Sequence, residues 1–351
     1  MKAKPVLLGS LFFLLVGISL LYVAKEKPFW IDSIYVDQVY PFLFTSREWF
    51  FSALPFSIGD SLYACLMVWF VIQVKGLLGK QWKQSLLLIM LSITILFFWF
   101  QLSWGLNYYR TPIGQQLSVE LKYTEEELAE LTSFFATKSN QLHEQLSQND
   151  SLAIQYNDNT AALIKRMELA FSPSDKVGKV KISLYSFPLS YMGFSGYLNP
   201  FTLEAQVNGR IPKINLPVTI AHEMAHQQGY AAENEANFIG FLSAYNHPDS
   251  DIQYAASLFG FRYCYAELRK ANPSKAKEIA QRLRPGIFAN FAESTTFWKA
   301  HKNPFEPLFK KSYDTYLKAN SQANGIQSYN QVVSLLLQQF NVEGNFRSFE
   351  K

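Results

Sequence analysis

The stretch Ala221-His-Glu-Met-Ala-His-Gln-Gln-Gly-Tyr-Ala-Ala-Glu-Asn-Glu-Ala-Asn-Phe238 decides how the chain is read. Just upstream, Pro217 suits the first turn of a helix, where a missing N–H costs nothing. Val218, Ile220, Ala221, Met224 and Ala225 supply small and apolar contacts along that helix. His222 and His226 are one turn apart and so share a helix face. At that spacing two imidazoles can reach one cation, and Glu223 beside them can move a proton to and from water. A third protein donor is still needed. Glu233 is the first choice and Glu235 the second, with Glu204, His247, Asp249 and Glu267 as more distant options. On an unbroken helix Glu233 would lie about 10.5 Å beyond His226 along the axis, too far to share an ion. The helix must therefore break, and Gly229 is the residue that can take the left-handed conformation past a helix end.

The composition around this stretch is unusual. Apolar residues make up 49% of 351, aromatics 16% and charged residues only 17%, a charge content well below that of ordinary soluble domains. Three runs account for the excess, at about 5–24, 58–78 and 85–106, each long enough for a bilayer's hydrocarbon core. The expected organisation is a transmembrane region over 1–106 and a globular domain over 107–351. Lysines are dense at the N-terminal tip (Lys2, Lys4) and between the second and third runs (Lys75, Lys80, Lys83). The positive-inside rule then puts both on the cytoplasmic side and the large domain outside, in a multi-pass protein of the cell membrane. The aromatic segment Lys25 to Phe56 either lies along the membrane surface or packs against the spans. The bilayer is thus the one partner implied by composition. A net charge of +4, with no phosphate loop, RNA-binding signature or zinc-finger spacing, gives no case for nucleic acid. Two cysteines suggest no disulfide framework.

Beyond the third run the pattern is mainly helical. Thr124 with three following glutamates marks a helix start, and a second helix is expected over 151–171. The period then changes to alternation in Val177–Phe187, which predicts a strand, and one or two more strands are expected in Met192–Gly209. From Pro217 the chain reads as helical almost to its end, broken at the Pro- and Gly-bearing stretches around 246–250, 271–274, 284–286, 302–307 and 320–325.

The His-Glu-x-x-His spacing is that of zinc proteases. With the downstream Glu-Asn-Glu-Ala-Asn-Phe-Ile-Gly-Phe it resembles the glutamate zincins, in particular membrane metallopeptidases that pair the motif with Glu-x-x-Ala-Asp. The resemblance implies Zn2+ held by His222, His226 and Glu233, with Glu223 as catalytic base. Asn237 stands where that pattern has Asp, and the spacing to the third ligand is shorter than in those peptidases. The layout as a whole, three apolar runs, this motif and the tail Tyr313-Asp-Thr-Tyr-Leu-Lys-Ala-Asn…Gly-Ile-Gln-Ser-Tyr-Asn-Gln-Val-Val-Ser-Leu-Leu-Leu337, resembles an uncharacterised bacterial membrane-protein family, domain of unknown function 3810. The fold class expected is a membrane-anchored, mainly α protein whose zincin-like α+β domain has a small sheet, an active-site helix and a helical C-terminal half.

A peptidase of this kind also presents a strand to its substrate and a donor to the developing oxyanion. The stretch 195–208 is the candidate strand, although a core hairpin reads the same way. Tyr313, Tyr316, Arg262 and His247 are the candidate donors. His143 and His301 read as packing or surface residues. Two functions follow. One is hydrolysis of a peptide or membrane-proximal protein. The other is a non-catalytic membrane or envelope role with a structural or relict metal site.

Overall fold

A computed structural model describes residues 3–116, 123–169, 171, 177–320, 322, 331–340 and 346. It divides into two compact units, one of residues 1–111 with 199–204 and the other of 112–198 with 205–351.

Unit 1 is helical. Its elements are α1 (Ala3–Lys25), α2 (Pro28–Trp30), a π-helical stretch (Ile31–Val39), α3 (Tyr40–Phe51), α4 (Ile58–Leu77) and α5 (Trp82–Ser103), followed by a 3-10 turn (Gly105–Tyr109). Three of these helices are long and apolar enough to cross a membrane, over Pro5–Lys25, Ile58–Leu77 and Trp82–Ser103. Their outward faces carry Phe12, Phe13, Met67, Val68 and Ile95, all more than half exposed, a surface suited to lipid rather than water. The third apolar helix ends three residues before the sequence boundary. Trp104 leaves helical geometry at φ −142, and Gly105, a poor helix former, opens the 3-10 turn. The aromatic segment after α1 is a helix with two faces. Ile31, Tyr35, Tyr40 and Phe44 are buried, while Phe29, Trp30, Phe42, Trp49 and Phe50 point outward. At the start of α4, Ser57 caps Asp60 and the Glu204 carboxylate accepts the N–H groups of Ile58 and Gly59. Acidic oxygens at a helix N-terminus satisfy orphan donors and the dipole together.

Unit 2 contains α6 (Ile113–Gln116), α7 (Glu125–Leu146), α8 (Thr160–Glu168), β1 (Val180–Ile182), α9 (Ser186–Met192), β2 (Gly196–Leu198), β3 (Ala205–Val207), α10 (Leu216–Gln227), α11 (Glu233–Tyr245), α12 (Ser250–Ala271), α13 (Pro273–Ala280), α14 (Pro285–Ala300), α15 (Glu306–Ala319) and α16 (Gln331–Gln339). The mainly helical class, the three apolar helices and the small sheet are as the sequence predicts. Thr124 and Glu127 form a reciprocal capping box at the start of α7. The helix expected over 151–171 is shorter. Ile154 stays outside any helix because the Asn290 side chain both accepts its N–H and donates to its carbonyl, each at 3.0 Å, and Asn159 then caps α8. The expected strand 177–187 keeps only three residues. Ser183 and Ser186 fold the chain into a turn with local side-chain bonds, and α9 follows. The break expected at 320–325 falls largely outside the described residues.

The sheet has the order β1-β3-β2, with β1 parallel and β2 antiparallel to β3. β2 is therefore an edge strand. Behind the sheet, α10 is almost wholly buried, packed against α11, with α7 and α12 forming the rest of a core that includes Leu131, Phe135, Phe241 and Tyr254. Both cysteines are free.

Candidate metal centre

The centre is built by the end of α10 and the start of α11. Gln228 closes α10 and Gly229 follows at φ 85. Gly229 N–H donates to the His226 carbonyl at 2.8 Å and Tyr230 N–H to the Ala225 carbonyl at 3.3 Å. This pair of bonds is a Schellman termination, and it reverses the chain within four residues. Glu233, the first residue of α11, is thereby carried back over the histidines.

His222, His226 and Glu233 each offer one ligand atom, and the three atoms lie within 4.8 Å of one another. His222 Nε2 is 3.4 Å from Glu233 Oε2, and His226 Nε2 is 3.7 Å from Oε1. Both rings are fixed from behind. His222 Nδ1–H donates to Asn237 Oδ1 at 3.0 Å, and His226 Nδ1–H donates to the Tyr230 carbonyl at 2.6 Å. These bonds occupy both Nδ1 atoms and turn both Nε2 atoms inward, the orientation metal-binding histidines require. Two imidazole nitrogens and one carboxylate oxygen are a donor set that could hold zinc with a fourth position open.

Glu223 lies beside this group and is 4% exposed. Its Oε2 is buried with no hydrogen-bond partner. The close neighbour is β2: a methyl group on Gly196 would stand 2.6 Å from Glu223 Oε1. Only glycine lets the edge strand approach the carboxylate so closely. Burial pushes Glu223 up to about 8; the Glu233 charge adds to the rise and His222 opposes it. Burial, helped by the charge of His222, lowers His226 to about 4. Burial alone would raise Glu233, but the His222 hydrogen bond, the charges of both histidines and the Tyr313 hydroxyl outweigh it and hold the carboxyl at about 2. For His222 burial acts downward, yet its bond to Glu233 and the charges of Glu223 and Glu233 leave it raised.

The other candidates are elsewhere. Glu235 is buried and accepts the Ile113 N–H at 2.6 Å. Glu204 caps α4 in unit 1, and Glu267 pairs with Lys270. Asp249 joins Asp158 and Asp251 around Arg166, where His247 Nε2 meets the Arg166 carbonyl at 3.2 Å. Of the four proposed donors, Tyr313 reaches the centre, donating its hydroxyl to Glu233 Oε1 at 2.6 Å. His143 packs inside, bonded to the Leu152 carbonyl, and His301 bonds to the Phe297 carbonyl. Sequence reasoning missed Gly196, Gly240 and the Tyr230 carbonyl. A methyl on Gly240 would lie 2.8 Å from the His222 backbone nitrogen. Its signal was available, since Glu233, Asn237 and Gly240 fall at i, i+4 and i+7 on the one face of α11 that meets α10.

The chain belongs to the family described as "Protein of unknown function (DUF3810)", whose model matches residues 35–337. No curated protein and no solved structure matches it.

Proposed function

We propose that the chain is a membrane-anchored zinc-dependent peptidase, with His222, His226 and Glu233 as metal ligands and Glu223 as general base. The single observation that carries this reading is the convergence of both histidine Nε2 atoms on the Glu233 carboxylate, made possible by the Gly229 turn. When bound there, zinc would supply a Lewis acid that polarises a carbonyl and acidifies water.

The chain's own residues supply the rest. Glu223 keeps an unpartnered buried oxygen, placed to accept a proton from water and return it to a leaving amine. Its high affinity for a proton in the cation-free site fits a group that must hold one in mid-reaction. A divalent charge beside it would draw that affinity down toward neutral pH. Asn237 and the Tyr230 carbonyl hold the rings, and Tyr313 holds Glu233. β2, the sheet's edge strand, runs past Glu223 at Gly196, and an extended peptide could add to such an edge by backbone hydrogen bonds. The lysine distribution supports an extracytoplasmic position for this domain, facing peptides or membrane-proximal proteins.

The test is Glu223→Gln in the full chain, incubated with a mixed peptide library and read by mass spectrometry. Wild type is expected to cleave, while the variant keeps its zinc and loses at least about a hundredfold in rate. Cleavage that persists in Glu223→Gln removes Glu223 from the chemistry. A wild type that holds zinc and cleaves nothing favours a structural metal site.

A further inference from the structure

Unit 1 contains a cation that the peptidase reading does not use. Arg47 of α3 is partly buried, and its Nη2 donates to Ser103 Oγ at 2.8 Å. Its Nη1 is shielded from solvent and has no hydrogen-bond partner. No carboxylate pairs with it among the described residues. The groups that act on its charge are the Tyr35 and Tyr40 hydroxyls, which offset only part of the burial that lowers it. Arg110 acts on the same Tyr40 hydroxyl, so two positive charges bear on one phenol.

Polar groups at the same end of α5 are open as well. Asn107, 1% exposed, has neither its side-chain oxygen nor its nitrogen bonded, and Gln101 Oε1 is buried without a partner. A buried polar group left bare carries its full desolvation penalty, so several of them within a few residues of Ser103, the partner of an uncompensated guanidinium, are a costly arrangement unless something fills it. The missing charge is negative, because every group described on Arg47 is neutral. Guanidinium is the side chain best suited to phosphate, which it grips with two parallel bonds.

The position narrows the ligand further. Ser103 is the last residue of α5, an apolar helix whose 22 residues extend about 33 Å, matching a hydrocarbon core of about 30 Å. Its end is therefore at the depth of lipid phosphates. Trp104, Tyr108 and Tyr109 follow at that end, and Phe42, Trp49 and Phe50 face outward on α3, as interfacial aromatics do.

We propose that Arg47, with Asn107, forms a binding site for a phosphate group at the end of the third apolar helix, the phosphate being that of a phospholipid headgroup or free in solution. The full chain, purified and delipidated in maltoside, is titrated with dioleoyl phosphatidylglycerol, with dioleoylglycerol and with inorganic phosphate. Saturable binding of phosphatidylglycerol is expected, without binding of the phosphate-free lipid, and Arg47→Gln should weaken it at least tenfold. Saturable binding of inorganic phosphate alone, lost in Arg47→Gln, would assign the site to free phosphate. Equal binding of the two lipids with no binding of inorganic phosphate, or no binding of any probe, overturns the proposal, as does equal affinity in a folded Arg47→Gln. Should that variant not fold, the comparison of probes on wild type decides alone.

Discussion

The Tyr313 hydroxyl donates to Glu233 Oε1 at 2.6 Å, joining two residues 80 positions apart. Glu233 is held on one side by the histidines and on the other by α15, so the carboxylate cannot rotate freely. If it is a metal ligand, Tyr313 is a positioning residue for the cation. Tyr313→Phe removes one hydroxyl and little volume. Outer partners of metal ligands are commonly worth 10- to 100-fold in affinity. Competition of the purified protein with a zinc chelator should show weakening of about tenfold in Tyr313→Phe. Unchanged affinity would reduce Tyr313 to a packing contact.

Gly229 at φ 85 is the joint that brings α11 back over α10. Gly229→Ala forces a side chain into the left-handed region at about 1–2 kcal/mol. Thermal unfolding should show a lower midpoint, and zinc affinity should fall with it, because the same turn carries Glu233. A variant with a lower midpoint and undiminished zinc affinity would show that the turn serves the fold alone.

Zinc uptake should release protons in a pH-dependent way. In the cation-free site Glu233, at about 2, is already ionised and His226, at about 4, is already neutral at pH 7. Glu223, at about 8, still holds most of its proton, which a divalent charge would expel, and His222 is shifted in the same upward direction by its bond to Glu233 and the nearby carboxylate charges. Calorimetric titration in buffers of different ionisation enthalpy should report net proton release near neutral pH, shrinking as pH rises above about 8, where Glu223 has already lost its proton. Affinity should accordingly weaken as pH falls through this window. Proton release that is absent, or that grows with pH, would contradict the assignment.

Much of this site is legible in the sequence because it is local. Pro217, the one-turn histidine spacing, Gly229 and the first-turn Glu233 all fall within seventeen residues, and helix geometry alone relates them. Choosing Glu233 over Glu235 was harder. Two residues apart on a helix, they point to different sides, and only packing decides which faces α10; the Ile113 N–H takes Glu235. Tyr313 could be named only among four candidates, since its approach depends on where α15 packs. Gly196 carried no local sign at all, because its need comes from a carboxylate 27 positions later in the chain. In the fold, the apolar runs and the capping box at Thr124 read directly. The segment 151–158 did not, because a distant Asn290 side chain, rather than local propensity, takes both backbone groups of Ile154 away from a helix.

The most direct measurement is metal content. The full chain should be purified without chelator and measured by inductively coupled plasma mass spectrometry beside His222→Ala, His226→Ala, Glu233→Ala and Glu235→Ala, with circular dichroism to verify folding. About one zinc per chain is expected in wild type and in folded Glu235→Ala, and less than about a tenth of that in the other three. A wild type lacking stoichiometric metal after zinc supplementation, or a folded Glu233→Ala that keeps its zinc while Glu235→Ala loses it, would contradict the account.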